Sequence, residues 1–127
     1  MQVWINTDNT KNAVALAETL EKAVQAHANQ GLKAFVIFTN PGEEEPEDLT
    51  KSLEKMAADR NITHIGIAFL PNLDDNAVKD YGINTDARVR NTVFLYKNKM
   101  VASKFVNLKA DKKGQEALEE AIQNLLR

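Results

Sequence analysis

Glu43, Glu44 and Glu45, followed after Pro46 by Glu47 and Asp48, form the densest run of chemically capable side chains in this sequence. Carboxylate oxygens are hard ligands, so such a cluster suits calcium or magnesium. Its spacing opposes a dedicated site, because consecutive residues on one turn cannot all face one ion and the EF-hand pattern is absent. The same acids fit the first turn of a helix, where each is stabilised by about 0.3–1 kcal/mol by the positive end of the helix dipole. They also fit a docking surface for a basic partner. The other candidates carry less. His27 and His64 have no further histidine or cysteine spaced for zinc, and structural roles are expected of both. Ser52 and Ser103 lack a Gly-x-Ser-x-Gly context and an evident base. Gly31, Gly42, Gly66, Gly82 and Gly114 make neither a Walker A loop nor a dinucleotide fingerprint, so no cofactor is expected. The chain has no cysteine. Thiol–disulfide exchange needs an attacking thiolate and is impossible for this chain acting alone. No enzyme activity is otherwise indicated.

A length of 127 residues, 43% of them hydrophobic, predicts a single domain over 1–127 that buries its core without disulfide or metal. The formal net charge of −2 disfavours nucleic acid and anionic membrane, which call for a basic excess on one face. No apolar run reaches membrane-spanning length, and the N-terminus lacks a basic segment followed by an apolar stretch; a soluble, cytoplasmic protein is the expectation. Basic residues nevertheless concentrate late in the chain, at Arg88, Arg90, Lys97, Lys99, Lys104, Lys109, Lys112 and Lys113. A chain acidic at one loop and basic at another can steer a partner or associate head to tail.

The elements that must position these groups follow from periodicity. Val3-Trp4-Ile5 reads as a strand, and Thr7-Asp8-Asn9-Thr10 supplies oxygens to cap a helix. Ala13, Leu16, Ala17, Leu20, Ala23, Val24 and His27 recur at helical spacing up to Gly31, which suits a left-handed C-terminal residue. Ala34-Phe35-Val36-Ile37-Phe38 is apolar throughout, as a central parallel strand covered on both faces would be. Pro46 opens a helix with the stripe Leu49, Leu53, Met56 and Ala57. A strand over 65–70 follows, and Asp74 caps a short helix closed by Gly82. Strands over 93–96 and 100–106, joined by Lys97-Asn98-Lys99, form an antiparallel hairpin. Asp111 caps a last helix with the stripe Ala117, Leu118, Ala121, Ile122, Leu125 and Leu126.

Tyr81-Gly82-Ile83, then Asn91-Thr92-Val93-Phe94-Leu95-Tyr96-Lys97-Asn98, then Val101-Ala102-Ser103-Lys104, then Lys113-Gly114-Gln115, resembles the second half of a thioredoxin. Element order extends the resemblance to the whole chain. It implies an α/β thioredoxin-like fold: a central mixed sheet with a βαβαβ half and a C-terminal ββα half, helices on both faces. In that family Cys-x-x-Cys follows the central strand at the N-terminus of the next helix. Counting from Phe38, its counterpart is about Glu43-Glu44-Glu45-Pro46; the family's buried acid falls at Ile37 and its cis-proline at Asn91. A trans Arg90-Asn91 peptide is expected, since a non-proline cis bond costs roughly 3 kcal/mol. Residues 84–90 make a longer link than usual, and Arg88 and Arg90 there could pair with the glutamates.

The resemblance implies a redox-inactive domain that binds a protein or peptide between two loops. The binding candidates are Asn40, Pro41, Gly42, Glu43, Glu44 and Glu45 on one, and Arg88, Arg90, Asn91 and Thr92 on the other, with strand addition beside Asn91 as the expected mode. The alternatives are a metal- or carboxylate-dependent protein using 43–48, with Asp86 as a further candidate, and a structural, self-associating protomer.

Overall fold

The computed structural model describes every residue except Asn9, Pro41, Glu43, 71–75, Ala87, Asn98 and Lys99. The chain runs β1 (Gln2–Ile5), α1 (Thr10–Ala26), a 3-10 turn (Ala28–Gln30), β2 (Phe35–Phe38), α2 (Pro46–Asp59), β3 (Gly66–Phe69), α3 (Asn76–Asp80), β4 (Asn91–Lys97), β5 (Met100–Val106) and α4 (Lys112–Leu125). This is the element order the periodicity predicts. The strands form one mixed sheet in the order β3-β2-β1-β4-β5. β1 and β2 are parallel, as are β2 and β3, while β4 lies antiparallel to both β1 and β5. The expected cap Asp74 and hairpin residues Asn98 and Lys99 lie outside the described residues.

One expectation is corrected at the centre. Residues 34–38 do not form the middle strand; β1 does, with Val3 level with Val36 on one side and Val93 on the other. The all-apolar run is not covered on both faces either, and Phe35 is 44% exposed. The cause lies in the helices. Successive right-handed crossovers from β1 to β2 to β3 move in one direction and deposit α1 and α2 on the same face. There Val3, Ile5, Val36, Val93 and Leu95 meet Leu16, Leu20 and Val24 of α1 and Leu118 and Ile122 of α4. Among the described residues the opposite face has only α3, which covers Trp4 with Val78 and Ile83 while Tyr81 tilts over the indole at 5.3 Å.

The helix ends follow local rules. Gly31 takes φ 76°, as the expected left-handed residue, and Gly82 takes φ 63°. Pro46 opens α2, and the Asp111 carboxylate accepts the Gly114 N–H at 2.8 Å at the start of α4. Ala117, counted in the α4 stripe, faces solvent instead.

Glu21, a carboxylate within the apolar stripe of α1, is only 4% exposed. Its Oε1 accepts the N–H groups of Thr63, at 2.6 Å, and of His64, and its Oε2 meets His64 Nδ1 at 2.9 Å. The carboxylate therefore substitutes for a strand neighbour at the approach to β3. Burial alone would raise its pKa, but the donors from His64, Thr63 and Gln25 outweigh burial and hold it below the ordinary 4.5. A depressed carboxyl pKa means that the stabilisation is present above that ordinary value and disappears as pH falls through the folded one. Glu21→Gln is expected to lower unfolding stability at neutral pH by about 1–3 kcal/mol, with two main-chain donors left poorly partnered. Urea titrations from neutral to acid pH should show the gap between variant and parent closing as the carboxylate protonates.

Candidate functional site

At the end of the sheet where β1 and β2 stop and β4 starts, carboxamides replace main-chain pairing. Asn91, 1% exposed, points its amide at the main chain of Leu108. Its Oδ1 accepts the Leu108 N–H at 2.9 Å, and its Nδ2 donates to the Leu108 carbonyl at 3.0 Å and to Asp8 Oδ2 at 2.7 Å. Asn12, in the first turn of α1, repeats the pattern: its Nδ2 donates to Asp8 Oδ2 at 2.7 Å and to the Leu108 carbonyl at 3.0 Å, while its Oδ1 accepts the Ala110 N–H at 2.9 Å. The result is a closed four-membered ring, each NH₂ using both hydrogens and each oxygen accepting two. It ties the β1–α1 turn, the start of β4 and the β5–α4 connection into one rigid floor.

Three further asparagines extend the floor. Asn6 donates through Nδ2 to the carbonyls of Asn84 at 2.9 Å and Val89 at 3.3 Å, and Thr39 donates to Asn6 Oδ1 at 3.1 Å. Asn107, left-handed at φ 56°, accepts the Arg90 N–H at 2.5 Å and donates to the Arg88 carbonyl at 3.0 Å. Asn40, also at φ 56°, brackets Glu44, donating to its carbonyl at 3.1 Å and accepting its N–H at 2.9 Å. Asparagine tolerates the left-handed region because its short amide bonds locally.

Two grooves open over this floor, on either side of Asp8. The larger, about 580 Å³, lies between Lys11 and Asn12 of α1, the Arg88 and Arg90 segment, and Lys109 and Asp111. The other, about 480 Å³, runs between α1 and α2, with Phe38, Leu49, Leu53 and Met56 as its apolar lining and Asn40, Gly42 and Glu44 at its rim.

No protein-family profile matches the chain, and no curated protein matches it. Among solved structures it is similar to a crystal structure assigned to a thiol:disulfide interchange protein, DsbE, of Chlorobium tepidum, with a TM-score of 0.73 at 16% identity, covering 99% of this chain and 78% of that one. The chain has a thioredoxin-like fold. At that identity the likeness concerns the fold.

Within a thioredoxin-like fold the sheet order relocates the vanished redox motif. Because β1 is the middle strand, the loop after the central strand is the β1–α1 turn, not 43–46. Thr10, Lys11 and Asn12 open the helix that follows, facing Asn91 through Asp8. Ile37 likewise loses its place as the counterpart of the family's acid, and β1 itself carries none. The Arg90-Asn91 peptide is trans.

The structure divides the sequence candidates into two groups. Asn40, Gly42 and Glu44 flank the apolar groove, with exposed Glu45 preceding α2, whereas Arg88, Arg90 and Asn91 line the polar one; Thr92 is buried in the sheet opposite Trp4 and Val106. Pro41 and Glu43 lie outside the described residues. Of the expected pairing of the arginines with the glutamates the described residues show none: Arg88 grips Asp86 of its own loop, at 3.1 Å to Oδ1 and 3.0 Å to Oδ2, and no ion pair joins Arg88 or Arg90 to Glu44 or Glu45. Asp86 is held below its ordinary pKa by that guanidinium and by the Arg88 N–H. Glu47 pairs with Lys51 one turn on, an exposed pair of little energetic weight. Among the described residues no group of three or more His, Asp or Glu is placed to hold a metal ion. His27 joins α1 to Glu119 of α4 at 3.2 Å and His64 joins Glu21, the structural roles expected.

Sequence reasoning missed Lys11, Asn12 and Asn107, read Asp8 only as part of a helix cap, and counted Lys109 only among the late basic residues. The available signal was asparagine recurring where strands end, at 6, 40, 91 and 107. Replacing Asn91 by Ala should leave the Leu108 N–H without its acceptor and remove one of the two donors to the Leu108 carbonyl and one of the two to Asp8 Oδ2. Its expected cost is about 1–3 kcal/mol, read as a lowered urea midpoint with unchanged slope.

Proposed function

We propose that this chain is a thioredoxin-like binding module without redox chemistry, holding an extended segment of a partner protein across the end of its sheet. The segment runs over Asp8, from the groove beside Asn40, Gly42, Glu44 and Glu45 to the groove beside Arg88, Arg90 and Asn91. The observation that carries this reading is the pairing of two open grooves with a floor whose polar groups are already hydrogen-bonded. Such a floor is rigid and chemically inert: it offers no thiol and no metal cluster among the described residues. Rigid, preorganised surfaces bind at lower ordering cost.

The docking mode follows from what the backbone leaves available. The Arg90 N–H goes to Asn107, the Arg90 carbonyl accepts the Asn6 N–H at 2.9 Å, and the Asn91 carbonyl accepts the Asn107 N–H at 2.9 Å. Strand addition at this point would have to displace Asn107. Contacts through side chains are therefore favoured over a new strand, with an apolar side chain of the partner seated among Leu49, Leu53 and Met56.

Selection from a displayed random-peptide library tests the reading. Enriched peptides are expected to lose binding when Leu53→Glu closes the apolar groove or Arg90→Glu reverses the polar one. A library that enriches nothing above a blank support would overturn it.

Self-association has one observation in its favour. β5 is an outermost strand, and Met100, Val101 and Val106 on it are 74%, 60% and 50% exposed. Light scattering should then show mass rising with concentration and returning to that of one chain in Val101→Lys.

A further inference from the structure

We infer that the groove between α1 and the β5–α4 connection takes an acidic stretch of the partner, anchored on Arg90; the inference rests on the binding role proposed above and names the chemistry of half of that surface. Charge carries it. Lys11, Arg88, Arg90 and Lys109 line the groove against only Asp8 and Asp111, in a chain whose formal net charge is −2. The basic excess is local and opposes the sign of the whole molecule.

The acids in the groove are already engaged. Asp8 Oδ2 accepts from both Asn12 and Asn91, and Asp111 accepts the Gly114 N–H at the start of α4. Arg88 is matched by the two oxygens of Asp86. Among the described residues no ion pair engages Lys11, Arg90 or Lys109. Among the described residues three cations thus line one open space without an ion-pair partner.

Arg90 is the anchor because its backbone is fixed on both sides. Asn107 accepts its N–H and Asn6 donates to its carbonyl, so the side chain projects from a held position. A guanidinium grips a carboxylate through two parallel N–H groups, whereas the flanking lysines act as point charges on neighbouring acids. The hydrogen-bonded floor has few donors left for neutral polar residues. Selectivity in this groove therefore comes from charge, and an apolar or neutral segment gains little there.

Fluorescence anisotropy with a labelled hexaglutamate peptide, beside the same label on hexaglutamine, tests the inference at low salt. Hexaglutamate is expected to bind at least about tenfold more tightly, and to weaken as salt screens the charges. Arg90→Gln is expected to cost about tenfold, the equivalent of one charge-assisted hydrogen-bonded contact. It keeps the main-chain bonds to Asn107 and Asn6, so its melting temperature should match the parent. Lys109→Gln should weaken binding to a smaller extent, and Lys55→Gln, on α2 and lining neither groove, should not weaken it. Equal binding of the two peptides, or hexaglutamate affinity untouched by Arg90→Gln, would overturn the inference. If library selection yields neutral peptides indifferent to Arg90→Gln but sensitive to Leu53→Glu, the binding role stands and the acidic preference fails. If no peptide of any kind binds, both fail.

Discussion

The carboxamide of Asn91 meets the main chain of Leu108 in both directions, and the end of the sheet where β4 starts is organised around that contact. A buried N–H or C=O without a partner costs about 1–3 kcal/mol, so a chain leaving a sheet must find replacements for its ladder bonds. Here one side chain supplies both replacements, and its second amide hydrogen reaches Asp8. Asn12 closes the ring from the helix side. This ring holds the β1–α1 turn, the start of β4 and the β5–α4 connection together, with Arg90 next to it in the chain and Asp8 between the two grooves.

The same constraint explains what the fold does without sulfur. In thioredoxin-like proteins the turn after the central strand presents thiols at a helix N-terminus, where N–H groups and dipole favour a thiolate. In this chain the turn carries Asp8, and the helix's first turn carries Asn12. An asparagine amide has donors and acceptors in fixed geometry and no ionisation to tune. The turn therefore offers no nucleophilic thiol. What remains to act there is charge, and the charge is positive on one side of Asp8 and acidic on the other, at Glu44 and Glu45.

Away from the site, the sheet is covered unequally. α1, α2 and α4 bury one face, and α3, five residues long, shields part of the other. Phe35, Tyr81 and Tyr96 are left partly in water as a result. Glu21 belongs to the same account: the loop before β3 has no strand to pair with, and a carboxylate from α1 reaches over to accept its N–H groups.

The sequence by itself determined the elements and their order. Leu16, Leu20 and Val24 repeat at helical spacing, Val93 and Leu95 alternate along a strand, and Gly31, Pro46 and Asp111 stand where local geometry requires them. These are short-range properties: a helix stripe, a left-handed residue and an N-cap are set by neighbours a few positions away. The lack of cysteine likewise decided, with no structure at all, that thiol chemistry is absent. Sheet order was a different matter. An apolar strand reads the same whether it lies in the middle or one place from it, and only the pairing of Val3 with both Val36 and Val93 made β1 central. The site followed that choice, moving from residues 43–46 to the β1–α1 turn. Its ring joins Asp8 and Asn12 to the distant Asn91 and Leu108, and all but the local Asp8–Asn12 hydrogen bond exist only once the sheet is assembled.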